Sequence, residues 1–408
     1  MKIGLLAYHS ACNMGATLQL LSSYCYWQKA GYEPIVINWI PQDLENYYIN
    51  STPQQQRELQ INLRKQLWKE TDLCRTSEEV ARVIEKEKIE AVVVGSDAIA
   101  QNHPWLTRLS LDKKKLVRYQ QYTHDRMFPN PFWGIFNDYL AKPVPVAILS
   151  ASSQDSAYHL FSLLTRIEMS KRLQSFCYVS TRDSWTQKMI QTITLGRVNP
   201  PVTPDPVFGF NYNVGEMISS REEILRKFNL SDRYILLSFI HRFTVSQEWI
   251  ERFAVLANAE GYECIMLPFA NKPTFGCLPH TIDLPLSPLD WYGLIKYSSG
   301  YVGHNMHPLI VSIHNGVPFF SFDNYGQRRL NGLLPDDSSS KIKHILSIGE
   351  LEAYRISCLS HMFHAPEPEY VLDKVLHFDT EKEKRFAAQY YEKYKEMMLN
   401  IEKSINHA

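Results

Sequence analysis

The chain has 408 residues, with 43 basic and 43 acidic side chains and no net formal charge. That length suggests two domains and a large buried core, and a composition that is 45% hydrophobic and 21% charged excludes a disordered chain. Neutrality argues against a surface that coats polyanions, so no nucleic-acid partner is expected, and an anionic ligand must be met by a few local cations.

The opening reads as strand, loop, helix, strand. Residues 2–8 are an apolar run, 9–15 a polar loop, 16–29 a helix by its apolar spacing, and 33–39 a second apolar run after Gly31. This alternation predicts a βαβ unit in a parallel sheet. Residues 42–90 read as helical, with breaks near Pro53 and Thr71. Short strands follow at 91–95, 144–149 and 176–179, with a helix over 184–193. The lysine cluster 113–115 reads as a solvated turn. Pro200, Pro201, Pro204 and Pro206 form a proline-dense stretch where the domain boundary is expected. The rhythm then restarts: strands at 234–240, 263–267, 300–303 and 317–322, with helices at 247–259, 288–298 and 308–314. Residues 381–405 form an amphipathic helix whose face carries Phe386, Tyr390, Tyr394, Met397, Met398, Ile401 and Ile405. The expected division is 1–210, 211–375 and a C-terminal helix, 376–408, packing back on the first domain.

No apolar run is long enough to span a membrane, and residues 3–8 are too short for a signal segment. Seven widely spaced cysteines without a C-x-x-C pair fit a reducing, cytoplasmic setting. Phosphate-loop, dinucleotide, zincin and serine-hydrolase motifs are missing. The chemistry is instead expected where parallel strands end. Those ends carry His9, Ser10 and Asn13; Ser96 and Asp97; Ser150, Ser152 and Ser153; Arg182 and Asp183; His241 and Arg242; and His304, Asn305 and His307. Serving as helix caps is the plainer reading of any one of them. Pro308 suits a first helical turn, which sets His307 beside unpaired backbone donors at a helix N-terminus. His304, His307 and His314 lack acidic or cysteine partners nearby in sequence, so no metal is expected.

Five segments taken in order resemble one family. They are His9-Ser10 with Asn13-Met14-Gly15-Ala16; Val94-Gly95-Ser96-Asp97; Val179-Ser180-Thr181-Arg182-Asp183; Pro204-Asp205-Pro206-Val207; and Asn305-Met306-His307-Pro308-Leu309 with Val317-Pro318-Phe319-Phe320-Ser321-Phe322-Asp323. Together they are similar to the polysaccharide pyruvyl transferases. Two departures stand out: the family has Arg-x-His where this chain has Asn305-Met306-His307, and a Gln where Ala98 follows Asp97. Arg182, Arg242 or His304 is left to do the work of the missing guanidinium.

The resemblance implies an α/β fold of two Rossmann-like domains facing across a cleft, like the B-type glycosyltransferases. It implies transfer of a pyruvyl group from phosphoenolpyruvate to two sugar hydroxyls, for instance as the 4,6-ketal of galactose, in bacterial surface-polysaccharide assembly. Its acceptor could be lipid-linked, which would bring the protein to the inner face of the membrane. That chemistry needs an acid for the donor methylene, assigned to His307, and a base for the sugar hydroxyl, assigned to Asp97 or His9. Arg182, Arg242, Asn305, His304 and His241 are assigned to the donor, and Ser10, Asn13, Ser96 and Ser152 to the acceptor. No cofactor is required. A nucleotide-sugar glycosyltransferase and a non-catalytic glycan-binding relative are the competing readings.

Overall fold

The computed structural model describes residues 1–110, 118–329 and 334–408; the lysine cluster 113–115 lies outside them. Two five-stranded parallel sheets organise the chain. The first holds β1 (Lys2–Leu6), β2 (Glu33–Val36), β3 (Ala91–Asp97), β4 (Val146–Ala151) and β5 (Tyr178–Thr181), in the order β2-β1-β3-β4-β5. The second holds β6 (Tyr234–Ser238), β7 (Glu263–Met266), β8 (Gly300–Gly303), β9 (Phe319–Asp323) and β10 (Arg355–Ser357), in the order β10-β9-β8-β6-β7. Every pairing within each sheet is parallel. The inner strands β3 and β6 are buried along their whole length and carry continuous apolar runs over residues 91–94 and 234–237, because helices cover both faces.

In the first half the helices are α1 (Met14–Lys29), α2 (Gln42–Ser51), α3 (Gln54–Leu67), α4 (Ser77–Glu87), α5 (Leu163–Ser175) and α6 (Ser184–Ile193). In the second half they are α7 (Arg221–Phe228), α8 (Gln247–Ala259), α9 (Pro288–Lys296), α10 (Met306–Asn315), α11 (Lys341–Ile348), α12 (Pro368–Leu376) and α13 (Thr380–Asn406). The periodicity reading located α6, α8 and β8 to the residue. It missed α5, α7, α11, α12 and β10. Several of these carry strong caps: Ser220 and Glu223 form a capping box for α7, and the Ser340 side chain accepts from Lys343 N in α11.

The proline-dense stretch is not a loose tether. Thr203 N donates to Thr181 O at 2.7 Å and Thr181 N donates to Pro201 O at 3.0 Å, so this segment extends the sheet beside β5. All seven apolar positions expected on the tail helix are buried in α13. That helix packs against β4 and β5 of the first half and α10 of the second, and Asn213 Nδ2 donates to the Tyr394 hydroxyl at 2.8 Å. One apolar core runs through α1, α9, α10 and α13 and so joins the two halves. The carboxyl ends of both sheets open above it.

Candidate active site

The first half contributes a buried ion network. Asp97 ends β3 with φ +83°, a left-handed conformation costly for a non-glycine residue and one that collects at functional sites. Arg182, directly after β5, donates from Nη2 to Asp97 at 3.0 Å and from Nη1 to Asp205 at 2.7 Å. Asp205 precedes the short helical turn Pro206–Gly209, whose Val207 N–H its Oδ1 accepts at 3.0 Å. Its Oδ2 also accepts from Gln19 of α1 at 2.5 Å. Burial works to raise the Asp97 carboxyl, but Arg182, with Lys341 and His307, holds it well below the usual carboxylate range. Arg182, itself buried, is held well above its ordinary value by Asp97 and Asp205.

The second half brings His307 onto this network. Helix α10 starts at Met306, two residues earlier than the Pro308 start expected, so His307 lies inside the first turn rather than ahead of it. Asn305 precedes the helix at φ +79°, ψ 151°, a region open almost only to glycine. The imidazole lies flat against Gly15 of α1: a Cβ there would stand 2.0 Å from the His307 Cγ. His307 Nε2 is 3.9 Å from Asp205 Oδ2 and has no hydrogen-bond partner among the described residues. Burial depresses its basicity below the ordinary histidine value, against the pull of Asp205 and Asp97.

Lys341 completes the cluster and was not foreseen from the sequence. Asp323, at the end of β9, accepts from Ser340 Oγ and from Arg355 Nε, the latter at 2.7 Å. Ser340 caps α11, and Lys341 follows as its first residue. The Lys341 side chain is only 5% exposed, and its ammonium lies 4.7 Å from the centre of the Tyr325 ring. Burial, with Arg182 nearby, pushes this amine down to about 8, against the pull of Asp97, Asp183 and Asp205. The local signal was Ser340 ahead of an apolar-periodic helix, but nothing in sequence aims that helix at Asp97.

A cavity of about 260 Å³ opens on His307, lined also by Asn13, Tyr47, Tyr48, Arg126, Asn271, Trp291, Asn305 and Tyr325, among others. Arg126 is the wall's guanidinium, 3.7 Å from Asp125. The arginine proposed from sequence, Arg242, is exposed, lies over the Phe243 ring and does not line this cavity.

The other expected residues scatter. His9 is buried on the far side of α1, bonded through its ring nitrogens to Ala7 O and Asn38 Oδ1, with burial lowering it to about 4. His304 is a core side chain that accepts from Ile240 N and pairs with Thr244 Oγ1, lowered by burial to about 3. His241 stands near His304 and also contacts Thr244. Ser152 donates to Asp183, and Asp183 caps α6, so capping is the local role of both. Ser96 donates to Ser150 O and accepts from Gln19. Ser10 lines a separate cavity of about 170 Å³ against α3. Asn13 both caps α1 and lines the main cavity. Asp97, Arg182 and His307 are thus brought together, Asp205, Gln19 and Lys341 join them, and Arg126 lines the adjoining cavity.

The polysaccharide pyruvyl transferase family model matches residues 13–325, most of the chain. The chain belongs to the polysaccharide pyruvyl transferase family. Lys341 lies beyond the matched segment. No curated protein matches. Among solved structures, the fold is similar to UDP-GlcNAc 2-epimerase from Methanocaldococcus jannaschii (TM-score 0.50, 10% identity, covering 94% of this chain and 98% of that one). It is similar too to UDP-N-acetylglucosamine 2-epimerase from Rickettsia bellii (TM-score 0.50, 11% identity, 98% and 96%). A ugt transferase from Siraitia grosvenorii in complex with UDP is a third (TM-score 0.50, 10% identity, 100% and 99%). These likenesses identify the fold: this pyruvyl transferase family member has the two-domain α/β architecture of B-type glycosyltransferases and the related epimerases. No described helix is long and apolar enough to cross a membrane.

Proposed function

We propose that this protein transfers a pyruvyl group from phosphoenolpyruvate to two hydroxyls of a sugar, a hexose such as galactose, forming a cyclic ketal and releasing phosphate. The observation that carries this reading is a pair of buried nitrogens without acceptors, Arg182 Nε and His307 Nε2, with the buried Lys341 side chain beside them. Buried donors are normally paired, so such a set invites a ligand rich in acceptor oxygens. A small molecule carrying both carboxylate and phosphate supplies them. Asn305, where the family has arginine, offers no charge, and Arg126 on the cavity wall supplies a cation in its place.

His307, its basicity lowered by burial, gains a proton as the donor's negative charge arrives. The imidazolium then gives that proton to the donor methylene carbon, which leaves the adjacent carbon electrophilic. A sugar hydroxyl bonds to that carbon, and its proton returns to the neutral imidazole. The second hydroxyl bonds to the same carbon and closes the ring, the carbon–oxygen bond to phosphate breaks, and the phosphate takes up that hydroxyl's proton as it leaves toward Lys341 and Arg182. Asp97, held ionised by Arg182, is a poor proton acceptor and is assigned to orienting that arginine. Tyr47, Tyr48 and Trp291 offer faces for a sugar ring, and Asn13 and Asn271 offer amides for its hydroxyls.

The test is phosphate release from phosphoenolpyruvate, screened over sugar acceptors with mass analysis of the product. Acceptor-dependent release that His307→Ala abolishes is expected. Turnover of a nucleotide sugar in its place, or release unchanged in His307→Ala, refutes the reading.

A further inference from the structure

The second cavity, about 170 Å³ against α3, shares Cys12 and Tyr48 with the main one. Both open along α2: Tyr47 at one mouth and Ile49 at the other are each 47% exposed. Arg57, Gln60, Ile61 and Arg64 recur at three- and four-residue steps, so a single face of α3 lines this space. That face is pinned from below. Gln56 Nε2 donates to Leu286 O of the second half at 2.9 Å, and its Oε1 accepts from Leu286 N at 2.7 Å. A wall already fixed costs a ligand little to order.

Gln60 is 7% exposed, and its Nε2 donates to nothing among the described residues. A buried amide left unpaired is a standing cost, which a ligand accepting from it removes. Gln60 also borders a void of about 10 Å³, room for one water at most. The 170 Å³ cavity is the space on its other side that admits a ligand.

Charge selects the ligand. Arg64 is taken up by Glu70 at 2.8 Å, and Glu45 by Arg75 at 2.6 Å. Arg57 donates from Nε to Thr52 O at 3.3 Å and has no carboxylate partner among the described residues. Burial pushes the Cys12 thiol up, and the charges of Arg57 and Arg64 act on it in the opposite sense, so both guanidiniums stand near the shared wall. One uncompensated guanidinium beside an unpaired amide donor suits a carboxylate or a phosphate.

We infer that this cavity is a subsite for an anionic group, a phosphate ester or a uronate carboxylate, attached to the sugar that the main cavity takes. That the group belongs to a sugar acceptor rests on the pyruvyl-transfer reading above; capture of the anion by Arg57 and Gln60 does not.

Binding of galactose 1-phosphate, of a galactosyl-glucuronic acid disaccharide and of lactose to the full chain is measured by calorimetry. At least one anionic probe should bind tenfold or more tighter than neutral lactose, and the tighter of the two identifies the source as phosphate ester or acidic neighbouring sugar. Arg57→Gln keeps a good helix former on a half-buried position and should erase that preference. Gln60→Leu removes an amide that serves no partner, so its thermal midpoint should not fall, while its affinity for the tighter probe should drop at least threefold. Equal binding of all three probes, a preference that survives Arg57→Gln, or one lost instead in Arg126→Gln overturns the subsite. Anion binding that depends on Arg57, without phosphate release from phosphoenolpyruvate, refutes the pyruvyl-transfer reading and leaves the subsite standing. Phosphate release with no such binding does the reverse.

Discussion

Replacing Lys341 by methionine should stabilise the protein while disabling it. The amine is buried and lowered from 10.5 to about 8, so below pH 8 the folded protein holds a charge that the unfolded chain hydrates better. Converted at 1.36 kcal/mol per pH unit, that cost is about 3 kcal/mol. Methionine keeps the length of the side chain and removes the charge. It also removes the contact with Tyr325, worth about 1 kcal/mol, so a net gain of about 2 kcal/mol is expected at pH 7. Between pH 8 and 10.5 the unfolded chain binds more protons at this position than the folded one. Wild-type stability therefore rises relative to the variant across that window, and the gap closes. Urea unfolding of both proteins at pH 7 and pH 10 reads the gap directly. Phosphoenolpyruvate should raise the midpoint of wild type and leave that of Lys341→Met little changed. A variant less stable than wild type at pH 7, or a gap indifferent to pH, would refute the claim that this lysine is held charged at a cost for the sake of a ligand.

Gly15→Ala sets a methyl group against the His307 ring; displacing an acid by about 1 Å costs on the order of a hundredfold in rate, so kcat/KM should fall that far with the circular dichroism spectrum unchanged. His9→Gln should keep activity within about threefold, because that ring is spoken for by Ala7 and Asn38; a hundredfold loss would restore His9 as the base. For His307, burial predicts that kcat/KM for phosphoenolpyruvate rises toward acid, with an apparent pKa below 6.5; the kcat profile should break at higher pH, since a bound anion favours the imidazolium. Glu383 is buried with neither oxygen paired and is raised by burial to about 9. The folded state therefore keeps its proton at pH 7 where the unfolded chain does not, stability falls as pH rises from 4.5 to 9, and Glu383→Gln should gain about 3 kcal/mol at pH 7 and almost nothing at pH 4.

The expected site residues that stand apart from the cluster share one feature. His9, His304 and Ser152 all follow strand ends, where polar side chains serve the backbone as often as they serve a ligand. Each turned out to be bonded to a nearby carbonyl, amide or cap. Arg242 differs: it is exposed over the Phe243 ring, and a guanidinium from another loop, Arg126, lines the cavity.

What the sequence alone determined is everything governed by neighbours along the chain. Apolar runs, capping residues and helical spacing specify a parallel α/β alternation, the buried face of α13, and Asp97, Arg182 and His307 as strand-end and helix-start residues. What only the tertiary structure decided is which of these meet. Arg182 faces Asp205 because the proline stretch runs back beside β5; His307 rests on Gly15 because a shared core joins α1 to α10; Lys341 enters because Asp323 holds the cap of α11. Those meetings join residues up to three hundred positions apart, and the core packing that brings them together leaves no local periodicity to read.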